Sequence, residues 1–451
     1  MACKGVKNNV KGEDISNYKI YVKGGFYMSL VQIISIIVFL VTFIFIVTEK
    51  IDRTIAAMLG AMVLLIVRII DQGNATEFID YTTIGVLVGM MIVVAIIKRT
   101  GLFQYLAIKV AKMVKGDPLK IIILFGIMTA VLSAFLDNVT TVLLMIPVTL
   151  VISKLLKISP IPFIMAEVLS SNIGGTATLI GDPPNIMIGS EAGLGFLDFL
   201  LNLGPVIVVI LFVNVFLIRF IYRKELNVEE DLKKYIMELE EKNAIADKEL
   251  LVKSLTVLFF IILGFFLHEH LGYESSTVAL SGAAILLLIS KEDVDEILVE
   301  IEWPTIFFFI SLFIIVGTLE KVGVIKMLAK FVIDLTKGNL VLTTIIILWA
   351  SALLSAFLDN IPFVATMIPL IKGLKALAGV NIEPLWWALS LGACLGGNGT
   401  LVGASANVVT AGIMEKEGYK ITFKDFIKIG FPIMIISILI SSIYLLIFKL
   451  R

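Results

Sequence analysis

This chain is poor in the residue types that carry most protein chemistry. Its 451 residues include only 2 cysteines and 2 histidines, and 16% are charged. Cys3 and Cys394 lie far apart, which excludes a disulfide framework and the usual zinc spacings, so both read as free thiols. His268-Glu269-His270 sets its imidazoles at i and i+2, which do not share a helix face, so it reads as interfacial rather than metal-binding. Neither sign of charge is in excess: 37 Lys and Arg balance 37 Asp and Glu. That balance excludes the basic field a nucleic-acid partner requires. There is no G-x-x-x-x-G-K-[ST] phosphate loop, so the chain is not a primary pump by itself and only a separate ATPase subunit could make it one. No A-x-A-like cleavage site follows the first apolar run, which is therefore expected to be retained as a span.

What the chain has is hydrophobic length. Hydrophobic residues make up 59% of it. Runs such as Ser29–Val47 and Phe431–Phe448 approach the ~20 residues that cross ~30 Å of hydrocarbon. The expected fold class is an all-α polytopic protein, multi-pass in the cell membrane.

The hexapeptide SAFLDN occurs at Ser133–Asn138 and again at Ser355–Asn360, an offset of 355 − 133 = 222. The same offset pairs Gly174-Gly175 with Gly396-Gly397, Thr178 with Thr400, Gly181 with Gly403 and Asn185 with Asn407. Rare polar and glycine positions in one register identify a tandem duplication. The division is a polar N-terminal tail over 1–27, repeat one over 28–222, a charged linker over 223–251 and repeat two over 252–451. The linker reads as a solvated amphipathic stretch. If each Asp-Asn pair is the tip of a re-entrant hairpin, repeat one crosses near 28–47, 54–71, 82–97, 161–199 and 205–222, an odd number. The halves then insert upside down to one another, a common build of secondary transporters, with about ten spans and two hairpins in all. Lysines flanking the first hairpin, among them Lys98, Lys109 and Lys154, put its side and the linker in the cytoplasm.

The chemistry concentrates at the interruptions. Backbone that leaves a helix at membrane depth must be buried in protein or line a wet cavity. Asp137-Asn138 and Asp359-Asn360 are good helix caps, so each tip starts a half-helix whose free N–H groups face the midplane. Thr140 and Thr141 add hydroxyls in copy one, where copy two has Pro362 and Phe363. Gly174, Gly175, Gly181 and Pro183, and in copy two Gly396, Gly397 and Gly403, cannot continue a stable helix. Unwinding there frees carbonyls for a hard cation. Asn172, Thr176, Thr178 and Asn185 can complete an oxygen cage, with Asn398, Thr400, Ser405 and Asn407 available in copy two. Asp182 has Ala404 as its counterpart, so only one acid decorates the two breaks.

Each feature has a blander reading. Gly-Gly in a span is commonly close helix packing, and a lone buried aspartate is often a cap. Cys394 beside Gly396 is a small core residue, GVLVG (85–89) a helix contact, and Trp386-Trp387 an aromatic belt. The recurrence of tip and break at one offset favours a substrate site, because a charge at the bilayer centre costs about 2.5–3.5 kcal/mol. Asp137, Asp359 and Asp182 together attract Na⁺ or protons and repel a dicarboxylate. Coupling of protons to a cation, or to a neutral polyol-like species such as arsenous acid, therefore fits better than anion uptake.

SAFLDNVTTVLLMIPV followed by GGTATLIGDPPN resembles the ArsB/NhaD branch of the ion transporter superfamily, with its arsenite permeases, sodium–proton antiporters and P-protein permeases. The resemblance implies a scaffold domain and a transport domain, an elevator-type movement and a homodimer. It also implies a binding role for Asn138 and Asn360. Related dicarboxylate carriers have Ser-Asn-Thr tips, which this chain lacks. The expected function is a secondary transporter of a small inorganic ion or metalloid, coupled to Na⁺ or H⁺, with no other cofactor and no enzymatic role. A dicarboxylate or anion symporter and a channel are the alternatives, and an intramembrane aspartyl protease is the remote one.

Overall fold

The computed structural model describes residues 19–22, 26–48, 50–226, 228–379 and 381–450. Cys3, much of the N-terminal tail and the side chain of Glu269 lie outside the described residues. Within the tail, β1 (Lys19–Val22) and β2 (Phe26–Ser29) pair as an antiparallel hairpin that nothing in the sequence announces. The rest is helical. Repeat one runs α1 (Leu30–Thr48), α2 (Arg53–Ile66), α3 (Gln72–Glu77), α4 (Tyr81–Arg99), α5 (Leu102–Met113), α6 (Pro118–Ser133), α7 (Asn138–Leu155), α8 (Ile161–Gly175), α9 (Pro183–Ala192) and α10 (Phe196–Tyr222). The linker holds α11 (Glu230–Glu238). Repeat two runs α12 (Lys248–Leu271), α13 (Ser275–Ser290), α14 (Val294–Val299), α15 (Trp303–Lys321), α16 (Val324–Thr336), α17 (Leu340–Ser355), α18 (Asn360–Ala378), α19 (Glu383–Gly396), α20 (Ser405–Lys416) and α21 (Phe423–Phe448).

The helices repeat as the residues do. α2 and α13, α3 and α14, α4 and α15, and α6 and α17 all start at the same offset, as in 275 − 53 = 222. Among the described residues eight helices are long and apolar enough to cross a membrane. The other expected crossings fall on the shorter α2 and α13 and on the two glycine-broken spans, α8–α9 and α19–α20.

The chain divides into two compact units. One holds β1, β2, α1–α3, α15, α16 and α18 from Ala365 onward. Here α2 packs on α15, with Thr54 Oγ1 donating to Pro304 O at 3.1 Å and Leu64 buried beside Ile314 and Ile315. The other unit holds Tyr81–Glu302, Asn339–Val364 and everything from Asn381, so both hairpin tips and both broken spans fall within it. In this second unit α4 packs on α13, where a side chain at Gly89 would meet the Ala279 backbone at 2.7 Å. GVLVG is therefore the helix contact it was expected to be.

Two expectations need correction. The linker is docked rather than fully solvated: Ile236 of α11 is fully buried in the cluster that includes Ala107, Ala111 and Leu150. Lys112 clamps it by donating to Leu239 O at 2.7 Å and Glu241 Oε2 at 2.6 Å. An amphipathic helix that joins two apolar repeats finds apolar surface to cover, and composition alone does not show that surface. Trp386 and Trp387 are 4% and 1% exposed, so neither belongs to an interfacial belt. Trp387 lies edge-on to Phe199 because α19 is enclosed by neighbouring helices.

Candidate substrate site

The two tips are built as the sequence predicts. α6 ends at Ser133 and α7 restarts at Asn138, with Asp137 as its cap accepting from Thr140 N at 2.8 Å. In copy two α17 ends at Ser355 and α18 restarts at Asn360, and Asp359 Oδ1 accepts from Ile361 N at 3.1 Å. The second oxygens are engaged too. Asp137 Oδ2 takes the Thr140 hydroxyl, and Asp359 Oδ2 takes Ser405 Oγ at 2.7 Å. Both tip aspartates therefore hold tip geometry.

The unwound breaks are tied to the hairpins by the same bonds in each repeat. Ser133 Oγ donates to Ser171 O at 2.8 Å and Ser355 Oγ to Ala393 O at 2.6 Å. The Thr178 hydroxyl donates to Ala134 O, and that of Thr400 to Ala356 O. Asn185 Nδ2 donates to Thr178 O and Asn407 Nδ2 to Thr400 O, each at 2.9 Å. Every pair of partners keeps the offset of the duplication. These threonines and the Asn185 and Asn407 amides staple the loops, and Gly175–Gly181 and Gly397–Gly403 approach backbone to backbone because neither carries a Cβ. Thr176 is likewise engaged, its hydroxyl donating to Asn172 O at 2.7 Å.

At the centre lies a buried network of carboxamides around one carboxylate. Asn138 Nδ2 donates to Asn172 Oδ1 at 3.0 Å and reaches Asp182 Oδ1 at 3.4 Å. Asn360 Nδ2 reaches the two oxygens of the same carboxylate at 3.4 and 3.2 Å. Asn172 Nδ2 donates to Asn398 Oδ1 at 2.9 Å and Asn407 Oδ1 at 3.0 Å. Asp182 is 1% exposed and, among the described residues, has no Lys or Arg partner. It stands at the cap position of α9 yet makes no side-chain cap bond, because Pro183 and Pro184 remove the first N–H groups. Its carboxylate is left for the tips. Thr141, one turn beyond Asn138, is fully buried with its hydroxyl unpartnered among the described residues.

The sequence reading missed Ser171 and Ser390, which support the network. Ser171 Oγ donates to Asn138 O at 2.9 Å, and Ser390 Oγ to Asn185 Oδ1 at 2.6 Å. Neither has a serine at its repeat counterpart, so the offset gave no signal. Cys394 is fully buried with Sγ 3.6 Å from Asn185 Oδ1, so the residue read as packing borders the network. His268 Nδ1 lies 3.0 Å from Tyr273 O, and no group of potential metal ligands occurs among the described residues.

A polytopic helical bundle whose two hairpin tips and two broken spans enclose one polar site is the architecture of a membrane transporter. The chain belongs to the citrate transporter family (CitMHS), which it matches over residues 43–392. An uncharacterized transporter of Mycobacterium tuberculosis is 42% identical over 92% of this chain and 98% of its own length. The P protein of Mus musculus is 36% identical over 89% of this chain and 58% of its own length. The solved Alcanivorax borkumensis YdaH transporter shares the fold, with a TM-score of 0.56 at 14% identity over 92% of this chain and 96% of that one.

Proposed function

We propose that the protein is a secondary active transporter that binds a small inorganic cation or a neutral metalloid between its two tips and couples its movement to H⁺ or Na⁺. The elevator-type step and the ArsB/NhaD branch follow from the motif resemblance and are part of this reading. The observation that carries it is the character of the centre: one buried carboxylate reached by the carboxamides of Asn138 and Asn360, with no cationic side chain on Asp182 among the described residues. A desolvated acid without a basic partner favours binding a cation or a proton. The Thr141 hydroxyl, unpartnered among the described residues, supports a ligand there, since a buried donor without a partner costs about 1–3 kcal/mol.

A second reading is citrate uptake, which the family's description names. It is favoured by the convergence of half-helix N-termini at Asn138 and Asn360, whose dipoles attract anions. The test is a proteoliposome assay with a preset pH gradient, adding Na⁺, Li⁺, arsenite and citrate in turn. Collapse of the gradient by Na⁺ or Li⁺, lost in Asp182→Asn, supports cation–proton exchange. Accumulation of arsenite without a cation response supports metalloid transport. Citrate flux that survives Asp182→Asn overturns the reading.

A further inference from the structure

Glu167, in the middle of α8, is fully buried in an apolar core. Its Oε1 takes the Thr149 hydroxyl from α7, while Oε2 has no hydrogen-bond partner among the described residues. Its repeat counterpart is Leu389, so no symmetry of the fold requires an acid here. Its chain neighbours Ala166 and Val168 belong to the large hydrophobic cluster of this unit.

Nor does charge from the packed elements compensate it. On α6 and α7, Lys120 and Lys154 are exposed and paired with Asp117 and Glu417. On α10, Asp198 caps Gly195 N and Arg219 is exposed, while Tyr222 is buried. Glu383 at the start of α19 and Glu415 and Lys416 on α20 are exposed, and Cys394 of α19 lies by Asn185. An ionised carboxylate in that setting costs several kcal/mol, so the side chain is suited to hold a proton.

Three more buried hydroxyls without a partner among the described residues lie on the helices packed with α8: Thr129 on α6, Thr141 on α7 and Thr410 on α20. The last two adjoin the tip network. Thr141 is one turn from Asn138, Thr410 one turn from Asn407, and Glu167 less than two turns from Asn172. Asn138 and Asn407 are each bonded to Asn172. Unfilled hydrogen-bonding capacity therefore lies within two turns of the tip network on α7, α8 and α20, the helices that carry Asn138, Asn172 and Asn407.

We propose that Glu167 is a proton-binding site separate from Asp182, and that Thr141 and Thr410 connect it to the tip network. Its role as a coupling group rests on the transporter reading above; its capacity to bind and release H⁺ does not.

The first experiment is infrared difference spectroscopy of the full chain in lipid between acidic and alkaline buffer, with protons as the only ligand. The expected result is a carboxylic-acid C=O band that titrates in the wild type and is missing in Glu167→Gln. Thr149→Val provides a second variant that keeps the carboxyl; losing its hydrogen-bond partner is expected to displace the midpoint by about one pH unit or more. If no band is lost in Glu167→Gln, or if the band stays constant across the whole pH range over which the protein remains folded, the proposal is overturned. The coupling arm compares proton-driven flux with solute exchange in the absence of a gradient. Glu167→Gln is expected to lose at least tenfold of the former and keep the latter, whereas equal loss of both overturns the coupling role. Absence of flux in the wild type would defeat the transporter reading and leave the infrared result to decide proton binding.

Discussion

Gly396→Ala tests whether the broken span is held to its hairpin as tightly as the backbone shows. A Cβ at this position would sit 2.6 Å from Ala352 O and 2.8 Å from Ala352 Cα, both atoms of α17's backbone. Ordinary contact begins at 3.4 Å, so α19 must move off α17 by about 0.8 Å (3.4 − 2.6). No rotamer can absorb that displacement. Asn398 follows two residues later, and its Oδ1 accepts from Asn172 Nδ2 at 2.9 Å. Carried along that axis, the bond lengthens to about 3.7 Å, past the roughly 3.2 Å limit of a good hydrogen bond. Overpacking costs about 1–3 kcal/mol, and the lost bond about 1 kcal/mol. The expected sum, roughly 2–4 kcal/mol, lowers the melting temperature by several degrees and impairs flux as well. Gly412→Ala is the control: nothing lies within 4 Å of its Cβ, and it stands inside α20. There alanine is expected to stabilise by up to about 1 kcal/mol. The measurement is thermal unfolding of purified protein in detergent, beside flux in proteoliposomes. If Gly396→Ala melts and transports like the wild type, the close approach of α17 and α19 is refuted.

Two other outcomes follow from bonds described above. Thr178→Val and Thr400→Val each leave a hairpin carbonyl unpaired and are expected to cost about 1–3 kcal/mol, alike in both repeats. Thermal unfolding that shows one costly and the other neutral would contradict the equivalence of the two staples. At the linker, the Lys112 hydrogen bond holds the half-buried Glu241 carboxyl below the usual glutamate range. Docking by this pair is therefore present above about pH 4.3, the ordinary glutamate value, and is lost as pH falls through the lower folded value. Hydrogen exchange across 230–246 should accelerate on acidification beyond its intrinsic pH trend, and Lys112→Gln should already exchange faster at neutral pH. Unchanged protection in that variant would show that Ile236 alone holds the linker.

The duplication was legible because its signals are local and rare. Glycine pairs, Asp-Asn tips and threonines at one offset located both hairpins and both breaks to within a residue or so. The roles within the site were less legible, for a reason the chain itself carries. Asp137 and Asp359 precede free N–H groups and act as caps, whereas Asp182 precedes two prolines and cannot cap through the first of them. D-P-P was the readable mark of the central acid, weighed less than the repeated D-N. Glu167 went unread because the search for symmetry passes over a residue with no counterpart, although an acid in an apolar span is costly by itself. Trp386 and Trp387 failed differently: hydropathy does not distinguish a span enclosed by protein from one that borders lipid. Linker docking escaped because it depends on a surface assembled from α5 and α7.

The asymmetry of the centre follows from the symmetry around it. Duplication supplies two tips, two stapled loops and two carboxamides, Asn138 and Asn360, that reach the same point from opposite repeats. A second acid at Ala404 would place two carboxylates against one pair of donors. At about 4 Å, like charges repel by roughly 4 kcal/mol at an effective dielectric of 20, and a shared proton would be needed to hold them. The two differences between the loops act against such a pair. Ala404 removes the second carboxylate, and Ser405, standing where repeat one has Pro183, turns its hydroxyl to Asp359 instead. Repeat one thus contributes the charge and repeat two braces its own tip, so that one buried acid is addressed by both tips at once. A single carboxylate shared in this way ties the state of the site to the placement of both hairpins. A pair of independent acids, one per repeat, would respond separately.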